Sequence, residues 1–177
     1  MDPTHRITST TVHRCARLHV AVEEFTVPGG ILRQPVVHRP ANVVVIAEPT
    51  PEHLLLIRRW RPPVARWTLE LPGATVTAGE HPQATARRAL TVSGNRAGQV
   101  REVLRCRTDP ELGDGELYLY RATALERLAS YTPHDDAGES DVIPFAHLPR
   151  LIAEGAIDDA YTLLAIATCG VATIVAR

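Results

Sequence analysis

Apolar positions change period several times along the chain, and each change predicts an element. Leu18, Val20 and Val22 alternate with Arg17, His19 and Ala21, the period-2 pattern of an extended segment. Pro28-Gly29-Gly30 turns the chain, and Ile31 to His38 returns as a second strand, so residues 17–38 are expected to form a hairpin. Residues 1–13 are polar and are expected to be a flexible tail. Asn42 to Ala47 is one continuous apolar run, which reads as a fully buried strand. Further strands are expected at His53 to Ile57 and at Trp67 to Leu71, where Pro72-Gly73 breaks the chain.

The pattern then becomes helical. Pro82 suits a first helical position, where no N–H partner is needed. Gln83 to Ser93 holds no further Gly or Pro, and Gly94 can close the helix in the left-handed conformation. Ala86 and Leu90 are expected to face inward. Gln99 to Arg107 and Leu117 to Ala122 read as strands on either side of an acidic loop. A second polar loop, His134 to Gly138, precedes a strand at Glu139 to Phe145. A helix is expected over Ala146 to Glu154, stopped by Gly155. Asp158 opens a last helix, at the end where a negative charge suits the dipole. Gly170 to Val175 is apolar and reads as a tail strand or a helix extension.

Composition narrows the class. The 177 residues suit a single domain, 1–177, with a sizeable core. A net charge of -1 and a pI near 6.7 give no reason to expect nucleic acid or an anionic membrane as partner. The basic side chains other than His are all Arg, which is read as genome composition rather than guanidinium chemistry. Cys15, Cys106 and Cys169 are odd in number and far apart, so neither a zinc site nor a disulfide framework is expected. Reduced thiols fit a cytoplasmic protein. The eight His show no H-x-x-x-H spacing, and no metal site is expected on them. Met1 to Arg14 lacks an apolar signal core, and no run reaches about 18 apolar residues, so no membrane span is expected.

Two stretches carry a resemblance. Leu69-Glu70-Leu71-Pro72, Gly79-Glu80, Arg87-Arg88 and Leu90 resemble the Nudix box, G-x5-E-x7-R-E-U-x-E-E-x-G-U, where U is aliphatic. They are most similar to the ADP-ribose pyrophosphatase-like branch, which reads L-E-L-P-A-G-K-I-E-P-G-E. Arg58-Arg59-Trp60-Arg61-Pro62-Pro63 resembles that branch's R-Q-Y-R-x-P-V. With Asp158-Asp-Ala-Tyr-Thr-Leu-Leu-Ala, the likeness runs from Arg14 to Cys169. It implies a Nudix fold of the α/β (α+β) class, an α/β/α sandwich with a mixed, largely antiparallel sheet. It implies a homodimer assisted by the 17–38 hairpin. It also implies that the arginines of the 58–61 run approach substrate phosphate and that Arg88 normally pairs with box carboxylates; the substrate-binding candidates are Arg58, Arg59, Arg61, Glu70 and Arg88. The alternative for the arginine run is a solvated basic turn with Trp60 packed on the core.

The chemistry departs from the resemblance. A Nudix helix sets carboxylates at i, i+3 and i+4, on one face, where they hold Mg²⁺ through oxygen ligands. Those positions here read Ala89, Val92 and Ser93. The run Arg87 to Gly94 is also one residue shorter than the pattern, and Gly73-Ala74 stands where the branch has Ala-Gly. Of the acidic set Glu80 alone remains. Mg²⁺ binding is therefore expected to be weak or absent, with no cofactor. Because the ion supplies several kcal/mol in such reactions, its loss lowers the rate by roughly three powers of ten or more. Conventional hydrolysis is expected to be lost or vestigial.

The acid–base candidates left are Glu80, Glu116 and Glu139, with Asp114 or a His behind them; for Glu116 a solvated acidic turn is the alternative. Arg88, without its expected partners, must find Glu80, solvent, a loop carboxylate or a ligand anion. Three functions stay open. The preferred one is a pseudoenzyme binding a nucleotide or phosphorylated metabolite. The others are an enzyme with repurposed, metal-independent chemistry in a biosynthetic pathway, and an interaction subunit that binds no ligand.

Overall fold

A computed structural model describes residues 5–131 and 137–175. The chain forms two compact units, Met1–Asn42 with Cys106–Leu117 and Val43–Arg105 with Tyr118–Arg177.

The first unit is built on an antiparallel sheet in the order β1-β2-β3, with β1 at His5–Arg14, β2 at His19–Val27 and β3 at Gly30–His38. The β2–β3 hairpin turns at Pro28-Gly29 and pairs Val27 with Gly30. Gly29 and Gly30 both have positive φ, 102° and 147°, a region that residues with a Cβ rarely enter. β1 corrects one expectation: from His5 onward the expected flexible tail is a strand. Every residue of β1 is exposed, so no buried stripe marks it. Its Ile7, Thr8, Thr10, Thr11 and Val12 are β-branched and favour the extended backbone.

Two further sheets belong mainly to the second unit, with residues 106–107 and 116–117 of their strands falling in the first. One has the order β10-β5-β6, antiparallel throughout, from β5 (His53–Arg61), β6 (Arg66–Glu70) and β10 (Ala137–Pro144). The other has the order β7-β4-β9-β8, from β4 (Asn42–Ala47), β7 (Gly73–Thr75), β8 (Asn95–Arg107) and β9 (Glu116–Arg127). The apolar run of β4 is buried from Val43 to Ala47, as its lack of alternation predicts. Helix α1 (Pro82–Val92) packs Ala86, Ala89 and Leu90 onto Val43, Val45, Ala47, Leu55, Val100, Tyr120 and Ala122. Burying a side chain the size of Leu90 contributes about 1.5–3 kcal/mol.

Both ends of α1 follow the residue pattern. His81 Nδ1 accepts the Gln83 N–H at 3.2 Å, and Pro82 occupies the first turn. At the other end Gly94 has φ +78°, and a Cβ there would meet the Tyr131 ring at 2.6 Å. Helices α2 (Leu148–Ala153), preceded by a 3-10 turn at Phe145–His147, and α3 (Ala160–Val175) complete the unit. Residues 170–175 thus extend a helix. Most of the loop expected at His134 to Gly138 lies outside the described residues. Among the described residues no helix is long and apolar enough to cross a membrane.

Candidate functional site

The loop from β6 to α1 is tied down at its start. The Leu71 N–H donates to Thr162 Oγ1 at 3.1 Å, and Thr162 in turn donates to Asp159 Oδ2 at 2.8 Å. Pro72 O accepts the Val45 N–H at 2.8 Å. Gly73 then passes so close to β4 that a Cβ would lie 2.9 Å from Val43 O. That approach accounts for glycine at 73.

Glu80 closes the loop onto α1. Its carboxylate accepts from Arg88 Nε at 3.0 Å and from Arg88 Nη2 at 2.8 Å. It also accepts from Thr77 Oγ1 at 2.7 Å and from the Thr77 N–H at 3.3 Å. Arg88 Nη2 donates again to Thr75 O at 2.9 Å. The Arg88 guanidinium, with Thr77 second, holds the Glu80 carboxyl far below the usual carboxylate range. The same bond raises the Arg88 pKa. The pairing is bidentate and charge-assisted, the strong form of this contact.

The face of α1 that would bear a metal is apolar or self-satisfied. Ala89 is 2% exposed, inside the core cluster. Ser93 is buried, and its Oγ donates to Leu90 O at 2.7 Å. Val92 is partly buried, and α1 holds no Asp or Glu. Among the described residues no three of His, Cys, Asp and Glu converge as a metal site. With Glu80 committed to Arg88 and Thr77, the residues at the box do not fit a hard cation, which needs several oxygen ligands.

A second Arg–Glu pair sits on β5 and β6. Glu70 is 5% exposed. It accepts from Arg61 Nε at 2.7 Å, from Arg61 Nη2, and from Thr68 Oγ1 at 2.6 Å. Burial pushes this carboxyl up, but Arg61 and Thr68, with Arg59 beyond them, outweigh it and leave its pKa lowered. The register pairs Ile57 with Glu70, Arg59 with Thr68 and Arg61 with Arg66. These residues share one face, because side chains alternate along a strand. Arg58 and Trp60, paired with Leu69 and Trp67, share the other. The arginines expected to act together therefore divide, Arg59 and Arg61 with Glu70, and Arg58 with the tryptophans. Trp60 is exposed and packs edge-on against Trp67, centroids 5.8 Å apart, rather than on the core.

The remaining candidates stand elsewhere. Glu116 opens β9 on the Tyr118 and Tyr120 side, and pairs with Arg107 at 3.1 Å. Glu139 is exposed on β10, where the pairing with β5 slips between Ala137 and Ser140. Asp114 belongs to the first unit, bonded to His38 at 2.6 Å. The residues expected to form the site thus occur as separate pairs, of which Glu80–Arg88 and Arg61–Glu70 are the bidentate ones. Sequence reasoning missed Thr77 and Thr68 as partners of these carboxylates. The spacing Thr77-x-x-Glu80 was a local signal for the first.

Comparison with known proteins points one way. The model of the NUDIX domain family matches residues 37–163. The chain is 27% identical over 146 residues to a CMP-5'-(N-acetyl-N-hydroxy-3-aminopropyl)phosphonate hydrolase of Streptomyces rubellomurinus, covering 81% of this chain and 71% of that one. It is 25% identical over 149 residues to an ADP-ribose pyrophosphatase of Bacillus subtilis, covering 82% and 80%. A methanol dehydrogenase activator of Bacillus methanolicus is 26% identical over 149 residues, with the same coverage. The crystal structure of an ADP compounds hydrolase superposes with a TM-score of 0.79 at 18% identity, covering 95% of this chain and 92% of that one, a likeness of fold.

Proposed function

The chain belongs to the NUDIX domain family, and we propose that it binds a nucleotide or another phosphorylated metabolite without carrying out Mg²⁺-dependent hydrolysis. Two of its relatives are hydrolases whose names specify nucleotide compounds, an ADP-ribose pyrophosphatase and a CMP-phosphonate hydrolase. That supports the ligand class. The reading against metal chemistry rests on one observation: Glu80 is fully engaged by Arg88 and Thr77, while α1 offers Ala89, Val92 and Ser93 where ligands would stand.

Phosphate contact falls to arginines that are not already consumed. Arg61 is held by Glu70, and Arg88 by Glu80 and Thr75. The Arg58 and Arg59 guanidinium groups make no hydrogen bond or ion pair among the described residues, although Arg59 lies close enough to Glu70 to lower its pKa, and guanidinium suits phosphate geometry. In this reading Arg88 braces the loop, and the ligand anion meets Arg58 or Arg59. A homodimer belongs to the same reading, through the first unit, where β1 is an edge strand exposed along its whole length. Such an edge is a template for pairing, and light scattering tests it.

Calorimetry with ADP-ribose in EDTA tests the binding. The expected result is affinity unchanged by added Mg²⁺, and reduced about ten- to a hundredfold in Arg58→Ala or Arg59→Ala, the value of one charge-assisted contact. Binding that appears only with Mg²⁺ would overturn it.

A further inference from the structure

Within the first unit the loop over residues 108–115 lies along β3. The Val37 N–H donates to Leu112 O at 2.9 Å, and Val37 and Gly113 form a parallel bridge. A Cβ on Gly113 would lie 2.1 Å from Val37 O, so the loop is docked closely. Its end is held by His38. Nδ1 of His38 faces Asp114 Oδ2 at 2.6 Å, and Nε2 faces Glu23 Oε1 at 3.1 Å. Asp114 Oδ1 also accepts the Arg39 N–H at 3.2 Å.

This geometry selects one charge state. A neutral imidazole has one N–H and one lone pair, and an ionised carboxylate only accepts. Neutral His38 would therefore point a lone pair at one of the two carboxylates. An imidazolium donates to both. The other escape, a protonated Glu23 donating to His38, is opposed by the groups around Glu23. Burial pushes the Glu23 carboxyl up, but Ser9, His38 and Arg6 outweigh it and leave its pKa lowered, and Oε1 accepts from Arg6 Nη1 on β1 at 3.0 Å.

We propose that His38 is a proton-operated latch: doubly protonated it fastens the 108–115 loop to the sheet, and on losing its proton it frees the Asp114 end.

Other charged groups around the latch modify it without replacing it. His19 on β2 stacks on His38 with centroids 5.2 Å apart, and its Nε2 bonds Thr11 Oγ1 on β1. Arg14 on β1 acts on His19. The Arg107 guanidinium donates to Asp114 O at 2.8 Å and pairs with Glu116. The Asp114 bond raises the His38 pKa above its ordinary value, against desolvation, and Glu23 adds to the rise. Burial pushes the Asp114 carboxyl up, but His38 and the Arg39 N–H prevail and lower it. A raised histidine stabilises the docked loop fully below the unfolded-state value of 6.5. That contribution disappears as pH rises through the folded-state value. Lowered carboxylates lose theirs only in acid, so the latch holds from the acidic side of neutrality up to the His38 midpoint.

An NMR pH titration of the full chain tests this. The His38 ring should titrate above pH 6.5, and the Gly113 and Gly115 amides should follow with the same midpoint. Beyond it the open-to-docked ratio should rise up to tenfold per pH unit. Asp114→Asn should lower the His38 midpoint, and His38→Gln should abolish the loop titration; the first remains readable if the second fails to fold. A His38 midpoint at or below 6.5, loop amides that ignore it, or an unchanged midpoint in Asp114→Asn would overturn the latch.

Discussion

Glu80–Arg88 and Glu70–Arg61 are both bidentate arginine–glutamate pairs in the second unit, and they differ in surroundings. The two arginines are alike, Arg61 45% and Arg88 41% exposed, but the Glu70 side chain is 6% exposed among β5 and β6 residues and the Glu80 side chain 18% exposed in the loop before α1. Water screens the outer pair and gives its partners an alternative when one is removed. The inner carboxylate has none, because an unpaired buried charge keeps its whole desolvation penalty. The contrast teaches that one motif has kept its two carboxylates for different reasons. Glu70 is part of the interior, and Glu80 shapes a loop. Each is paired with a guanidinium, which supports the proposal that neither serves a cation.

The largest effect expected comes from trying to reverse this. Ala89→Glu places a carboxylate at a 2% exposed position among Val43, Leu55 and Leu90. Overpacking and burial of the charge together should cost about 3–5 kcal/mol in urea unfolding. Ala89→Glu with Val92→Glu should not confer Mg²⁺-stimulated turnover. A variant as stable as the parent would show that this face of α1 is open to solvent after all.

Arg61→Ala comes next, at about 2–4 kcal/mol, less than for a wholly enclosed pair because Arg61 is 45% exposed. Its pH dependence sharpens the comparison. The Glu70 pKa is lowered, so its contribution is present above the unfolded-state value of 4.5 and is lost as pH falls through the folded-state value. Removing Arg61 raises the Glu70 pKa, so the deficit of the variant should be greatest near neutrality and shrink in acid. A deficit independent of pH would mean that Arg61 acts by packing alone. Arg88→Ala should do least, lowering Tm by about 2–4 °C and leaving ligand affinity in EDTA unchanged. A tenfold loss of affinity would place Arg88 on the ligand instead of on Glu80.

Much of this arrangement could be read from residue order. The β4 run, the turn at Pro28-Gly29-Gly30, the limits of α1 at Pro82 and Gly94, and the inward Ala86 and Leu90 all follow from local rules. The division of Arg58 from Arg59 and Arg61 was not legible, because the strand expected from the sequence ends at Ile57, whereas β5 runs on to Arg61 and neighbours on a strand face opposite ways. β1 escaped because no face of it is buried, which leaves propensity as its only signal. The partners of His38 escaped for another reason. Asp114 lies 76 residues away and Glu23 lies on the neighbouring strand, and no local period relates them. The glutamate–arginine pair of the box was foreseen as one of several options for Arg88, but only tertiary geometry brings Thr75 O into the contact.

The central claim, that this NUDIX-family chain has given up Mg²⁺-dependent hydrolysis, is tested most directly by following ADP-ribose by phosphorus NMR. The purified protein would be incubated with Mg²⁺ in one sample and EDTA in the other. The account predicts identical spectra over time, with no release of AMP above the protein-free control. AMP appearing in the Mg²⁺ sample alone would contradict it.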